Sequence, residues 1–175
     1  MAQGYLNGGR IRTRNRGTTD LAADEFPALV RSLQGSEASN ARRRKGVLVA
    51  QPVVHFEIIG KNPDKLRDYF GELFGWQFDT SSPVSEAVSK PTDYGFVDRI
   101  TTPDGTGIPG GIGGGARYPG HAMFYVGVPN VEAALAEAER LGGKLQMGPE
   151  RAPTGLVVGH FTDPEGNLIG VAGTA

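Results

Sequence analysis

The chain carries three histidines, each in an apolar run: His55 in VVHFEIIG, His121 in HAMFYVGV and His160 in VVGHFT. A neutral imidazole is a ligand for Zn, Ni, Co or Fe(II), and also a hydrogen-bond partner for a bound molecule. Glu57 lies two residues after His55. On a strand, that spacing puts both side chains on one face with their β-carbons about 7 Å apart. Glu57 could complete a ligand set with His55, act as the general base of a proton transfer, or simply hydrogen-bond to His55 or to an arginine such as Arg99. Two imidazoles alone hold a divalent ion poorly, because catalytic sites usually supply three protein ligands. His160, alone on its strand, reads as a structural or surface residue. Cysteine is absent, which excludes disulfides, thiolate nucleophiles and Cys-ligated zinc.

Those residues need elements to hold them. Val53–Ile59 alternates, with Val53, His55, Glu57 and Ile59 on one face and Val54, Phe56 and Ile58 on the other, the pattern of a strand. NPDKLRDYFGELFGW follows. Asn62 caps a helix, Pro63 takes its first position, and Leu66, Tyr69, Phe70, Leu73 and Phe74 recur at helical spacing until Gly75 ends it. WQFDTS then reads as a strand. The same order returns in HAMFYVGV, a strand with His121, Met123 and Tyr125 on one face. PNVEAALAEAERLGG is a helix capped by Asn130, and KLQMG is the next strand. YGFVDRITTPDGTGIPGGI and GLVVGHFTDPEGNLIGVAG close the two halves, each as a strand, a Pro-acid-Gly turn and a strand.

The chain is thus read as an α+β fold of two βαβββ modules, about residues 52–115 and 118–173. Each helix covers one face of its sheet. The uncovered faces, bearing His55 and Glu57 or His121 and Tyr125, are expected to form a shared cleft. Asp98 and Arg99 alternate, so one of the two faces that cleft, and Arg99 there would bind an anionic ligand. GGIGGGARYPG lacks the Lys-Ser/Thr ending of a phosphate loop. Its glycines read instead as a flexible connection and a strand whose missing side chains enlarge the cleft.

The formal charge of −1 conceals an asymmetry: residues 1–50 carry +5 and residues 51–175 carry −6. The first fifty residues read as a basic, largely disordered leader in which LAADEFPALVRSLQ could form a short helix interrupted by Pro27. The cationic run Arg42–Lys45 has no interleaved aromatics for base stacking, so nucleic acid is not an expected partner. Deleting residues 1–46 is expected to leave folding intact. No apolar run reaches the roughly 18 residues of a membrane-spanning helix, and the start lacks a signal-peptide core, so a cytoplasmic location is the expectation.

VVHFEI with its DYFGELFGW helix end, HAMFYVGVPNVEAALAEAERLGG, and FTDPEGNLIGV resemble, in that order, the modules of the glyoxalase/bleomycin-resistance/extradiol dioxygenase superfamily, the vicinal oxygen chelate fold. The resemblance covers about residues 52–173. It implies an open, curved mixed sheet around a cleft, often completed by a homodimer, and one divalent metal held by two histidines and two glutamates. Position by position, the histidines fall on His55 and His121. The second module's acid falls on Gly170 and the first module's falls within GIPGGIGGG, where no carboxylate stands. Three functions follow. One is a metal-dependent lyase, isomerase or dioxygenase with Zn, Ni, Co or Fe on His55 and His121 and with Glu57 as the catalytic acid–base. Another is a metal-free resistance or sequestering module whose small-molecule ligand meets Trp76, Phe78, Tyr94, Arg99, Met123 and Tyr125. The last is a non-catalytic dimerisation domain.

Overall fold

In a computed structural model, described over residues 50–173, the chain forms two helices and a seven-stranded mixed sheet. The first module holds β1 (Val53–Gly60), α1 (Pro63–Phe74), β2 (Gly95–Val97) and β3 (Gly110–Gly114). The second holds β4 (His121–Gly127), α2 (Val131–Arg140), β5 (Lys144–Arg151), β6 (Val157–Thr162) and β7 (Leu168–Gly173). The strand order is β2-β3-β1-β4-β7-β6-β5. β1 runs parallel to β3 and β4 parallel to β7, and the modules join where β1 and β4 pair antiparallel. This is the α+β architecture expected from the repeat. The leader expected over residues 1–50 lies, except for residue 50, outside the described residues.

Local chemistry explains the elements. The Asn62 side chain accepts from the Lys65 amide, Pro63 opens α1, and Gly75 closes it with a φ of 71°, a conformation that costs glycine little. Asn130 caps α2 in the same way, accepting from the Ala133 amide. The two Pro-acid-Gly turns share one hydrogen-bond pattern: Gly105 N–H to Thr102 O and Thr102 N–H to Thr106 O in the first module, Gly166 N–H to Asp163 O and Asp163 N–H to Asn167 O in the second.

Two details depart from the sequence pattern. A register shift between Val53 and His55 breaks the alternation of β1. Val54 is consequently buried and Val53 exposed, as a bulge makes them. WQFDTS forms no strand. It contributes a single bridge, Asp79 to Phe96, because Trp76 turns away to stack among Phe56, Phe70 and Phe74.

The junction positions the site. His55 lies opposite Tyr125, Glu57 opposite Met123 and Ile59 opposite His121. The Glu57–Met123 pair sits at the centre of the repeat's pseudo-twofold, so His55 and His121 occupy equivalent places. One core cluster spans the junction, drawing Val54, Ile59, Val88 and Tyr94 from the first module and Met123, Tyr125, Val158 and Ala172 from the second. The other lies under α2, around Val131, Leu135, Val157 and Val171.

Candidate functional site

The inner face of the joined sheet carries all three histidines of the chain around one carboxylate. Glu57 is 2% exposed and His55 is 4% exposed, a cost that a protein meets only with hydrogen bonds or a partner charge. Tyr94 Oη donates to Glu57 Oε2 at 3.2 Å, and Tyr125 Oη donates to Glu57 Oε1 at 3.2 Å. His55 Nε2 lies 3.0 Å from Tyr94 Oη, and His160 Nε2 lies 2.8 Å from Tyr125 Oη. Burial first, and the Glu57 charge second, push both tyrosines well above the usual phenol range, so each hydroxyl keeps its one proton. That proton goes to Glu57, so each histidine must supply the N–H of its own bond. The result is a two-armed relay, His55 to Tyr94 to Glu57 and His160 to Tyr125 to Glu57.

The histidines differ in charge. Burial lowers His55 to about 3. It also lowers His160 to about 4, with the nearby His121 adding to the effect. Both are neutral at neutral pH. His121 is shifted upwards, chiefly by Glu57. Its Nδ1 lies 3.1 Å from Pro119 O, and a carbonyl only accepts, so Nδ1 bears a proton. In the neutral ring the bare Nε2 would then face Glu57 Oε1 at 3.6 Å, an ion-pair separation longer than a hydrogen bond. Protonating Nε2 turns a repulsion into an attraction.

Neighbouring segments hold the relay in place. Ser89 is fully buried, and its Oγ accepts from the Gly114 amide at 2.7 Å. Arg67 Nη1 donates to Asp93 O at 2.6 Å. These bonds pin the segment that delivers Tyr94. Above the relay lies a cavity of about 60 Å³ whose floor includes His55, Glu57, Tyr94 and Tyr125 and whose walls include Val84, Val88, Leu156 and Val158. Both modules line it, so the cleft is formed within one chain.

Of the residues singled out in the sequence, the structure gathers His55, Glu57, His121, Tyr94 and Tyr125 here. Met123 is buried on the same face beside Gly170. Trp76 stands in the aromatic cluster with Phe56 and α1, Phe78 packs near Gly71 and Gly95, and Arg99 is exposed; none of these three lines the cavity. His160 joins the relay although its strand gave it no partner in the sequence. Its signal was the hairpin: counting back from the Pro164-Glu165-Gly166 turn pairs His160 with Gly170, the position of a family acid.

A family model described as Glyoxalase/Bleomycin resistance protein/Dioxygenase superfamily matches residues 53–171. The chain belongs to this superfamily. Its fold is similar to that of Streptomyces coelicolor methylmalonyl-CoA epimerase variants bound to 2-nitronate-propionyl-CoA. One shares 16% identity and another 17%, each with a TM-score of 0.53 and covering 73% of this chain and 99% of the epimerase. A methylmalonyl-CoA epimerase bound to methylmalonyl-CoA and NH4+ matches with a TM-score of 0.53 at 16% identity, over 73% of this chain and 96% of the other. At these identities the likeness shows the fold. No curated protein matches the chain.

The superfamily's four-ligand metal pattern does not fit this cleft. Gly170 beside Tyr125 and Gly113 beside Ile59 are equivalent positions of the repeat. A β-carbon on Gly170 would meet the Tyr125 ring at 2.4 Å and Met123 Cε at 2.7 Å. One on Gly113 would meet the Tyr94 ring at 2.4 Å and Ser89 Oγ at 2.7 Å. The glycines do not open space, as their sequence implied; tyrosine rings fill it. Those tyrosines keep their protons and hold Glu57, so they are not anionic ligands. Among the described residues no three His, Asp or Glu side chains converge as a metal-binding group.

Proposed function

We propose that this member of the superfamily binds a small molecule in the inter-module cleft and does so without the family's metal. The observation that carries this reading is the replacement of both metal carboxylates by glycines roofed with tyrosine rings. What replaces the ion is a protein-only polar floor under apolar walls, the usual composition of a ligand pocket. His55, expected as a metal ligand, instead holds Tyr94, and His121 supports the Glu57 carboxylate. Glu57 is the group best placed to take a proton from a bound molecule, so an enzymatic form of this reading makes it the general base. The homodimer is retained as part of the proposal. Tyr69, Leu73 and Phe74 on α1 are each more than half exposed, an apolar surface of the kind that protein partners cover.

A thermal-shift screen of small molecules, run with and without chelator, tests the reading. Stabilising hits that are indifferent to chelator are expected. Hits that require added Ni, Co, Zn or Fe(II), with a stoichiometric metal surviving dialysis, would overturn it.

A further inference from the structure

Glu57 is the charged group that lines the cavity; the remaining lining is tyrosine hydroxyls, the neutral His55, small hydroxyl side chains and apolar surface. His121, about a quarter exposed, approaches Glu57 from outside that lining. A carboxylate offers about four lone-pair sites, and two are taken by Tyr94 and Tyr125. His121 Nε2 stands 3.6 Å from Oε1 as a further neighbour, and Glu57 lines a pocket with apolar walls, where water screens little and a charge attracts its opposite strongly. An anionic ligand would meet Glu57 with no lining cation to offset the repulsion. A neutral ligand would leave His121, 3.6 Å from Oε1 and outside the lining, as the one opposite charge beside Glu57 among the described residues, and only when that ring is protonated.

We propose that the cleft takes an organic ammonium ion, a slender amine whose N–H groups bond to Glu57 while its hydrocarbon part packs on Val84, Val88, Leu156 and Val158. The inference rests on the reading of the cleft as a ligand site and adds the chemical class. The lining sharpens it. Val84 and Val88 from the first module and Leu156 and Val158 from the second line the same cavity as Glu57, so one molecule can meet the carboxylate and the apolar surface together. A primary amine has N–H groups to give Glu57, and a quaternary head has none.

The test is calorimetric titration of the full-length protein with n-butylamine, n-butanol and butyrate, which share a chain and differ in head group. The amine is expected to bind at least about tenfold more tightly than the alcohol, the advantage of a charge-assisted over a neutral hydrogen bond. Butyrate is expected to bind most weakly. Glu57→Gln should erase the preference for the amine over the alcohol. If that variant does not fold, as circular dichroism would reveal, the ranking on the unmodified protein decides alone. An alcohol or carboxylate that matches the amine overturns the ammonium assignment and leaves the ligand-site reading standing. Binding of none of the three also overturns it, and the wider thermal-shift screen then judges the reading separately.

Discussion

His55 and His160 are imidazoles kept neutral by burial, and that has a pH cost with a definite sign. In the unfolded chain each titrates near 6.5, whereas in the fold they titrate at about 3 and about 4. Between these values the unfolded state binds more protons, so stability falls as pH falls, by about 1.4 kcal/mol per pH unit for each histidine. His121 works oppositely. Its folded value is raised, so its contribution is complete below the unfolded value and is lost as pH rises through the folded one. Urea midpoints should therefore fall steeply from pH 6.5 towards 4, and His160→Gln should roughly halve that slope. A flat profile would mean that neither ring is desolvated. At this scale the sequence marked His55, Glu57, His121, Tyr94 and Tyr125 as candidates. It could not show that a tyrosine hydroxyl stands between each outer histidine and Glu57. Such interposition depends on how far a loop brings Tyr94 over a strand more than a dozen residues away, and no local pattern encodes that.

Among the elements, β3 shows most clearly what glycine does here. All five residues of Gly110–Gly114 are buried, and the strand takes aromatic rings against its backbone. A β-carbon on Gly110 would lie 2.1 Å from the Phe56 ring, and one on Gly111 would lie 2.2 Å from the Tyr94 ring. Gly111→Ala is expected to cost about 1–3 kcal/mol as overpacking and to displace Tyr94 from Glu57. Gly120→Ala, whose β-carbon would meet nothing closer than Ile59 O at 3.5 Å, should be near neutral. Thermal denaturation of the two variants checks the contrast, and equal losses would refute the filled-space account. The turn chemistry and both Asn caps were legible because each is a local hydrogen-bonding solution. The strand expected of WQFDTS was not, because the contacts Trp76 makes, with Phe56, Phe70 and Phe74, come from other elements and leave no trace in the local pattern. The glycines of β3 were legible as a feature, but their reading as open space failed, since a missing side chain does not reveal which neighbour occupies its place.

For the molecule as a whole, the repeat carried most of the fold. Two modules of matching order, each with a one-sided helix, leave little choice but a sheet with a shared inner face. What the repeat left open was whether the two faces meet in one chain, and the β1–β4 pairing answers that. Because one core cluster crosses this junction, the modules should unfold together. The fluorescence of Trp76, the chain's one tryptophan, reports on the first module, and far-ultraviolet circular dichroism reports on both. Their urea transitions should coincide, and separate midpoints would show two independently stable halves.

Gathering every histidine of the chain around Glu57 also gives the cleft a private spectrum. In a nitrogen-15 correlation experiment on the imidazoles, His55, His121 and His160 are the three ring systems present, and all three report on the surroundings of Glu57. The Nε2-protonated tautomer of His55 and His160 has a distinctive pattern of ring nitrogen shifts, different from that of His121, whose Nδ1 bears the proton. A molecule that enters the cavity is expected to disturb the signals of His55, which lines it, with no other histidine elsewhere in the chain to confuse the assignment.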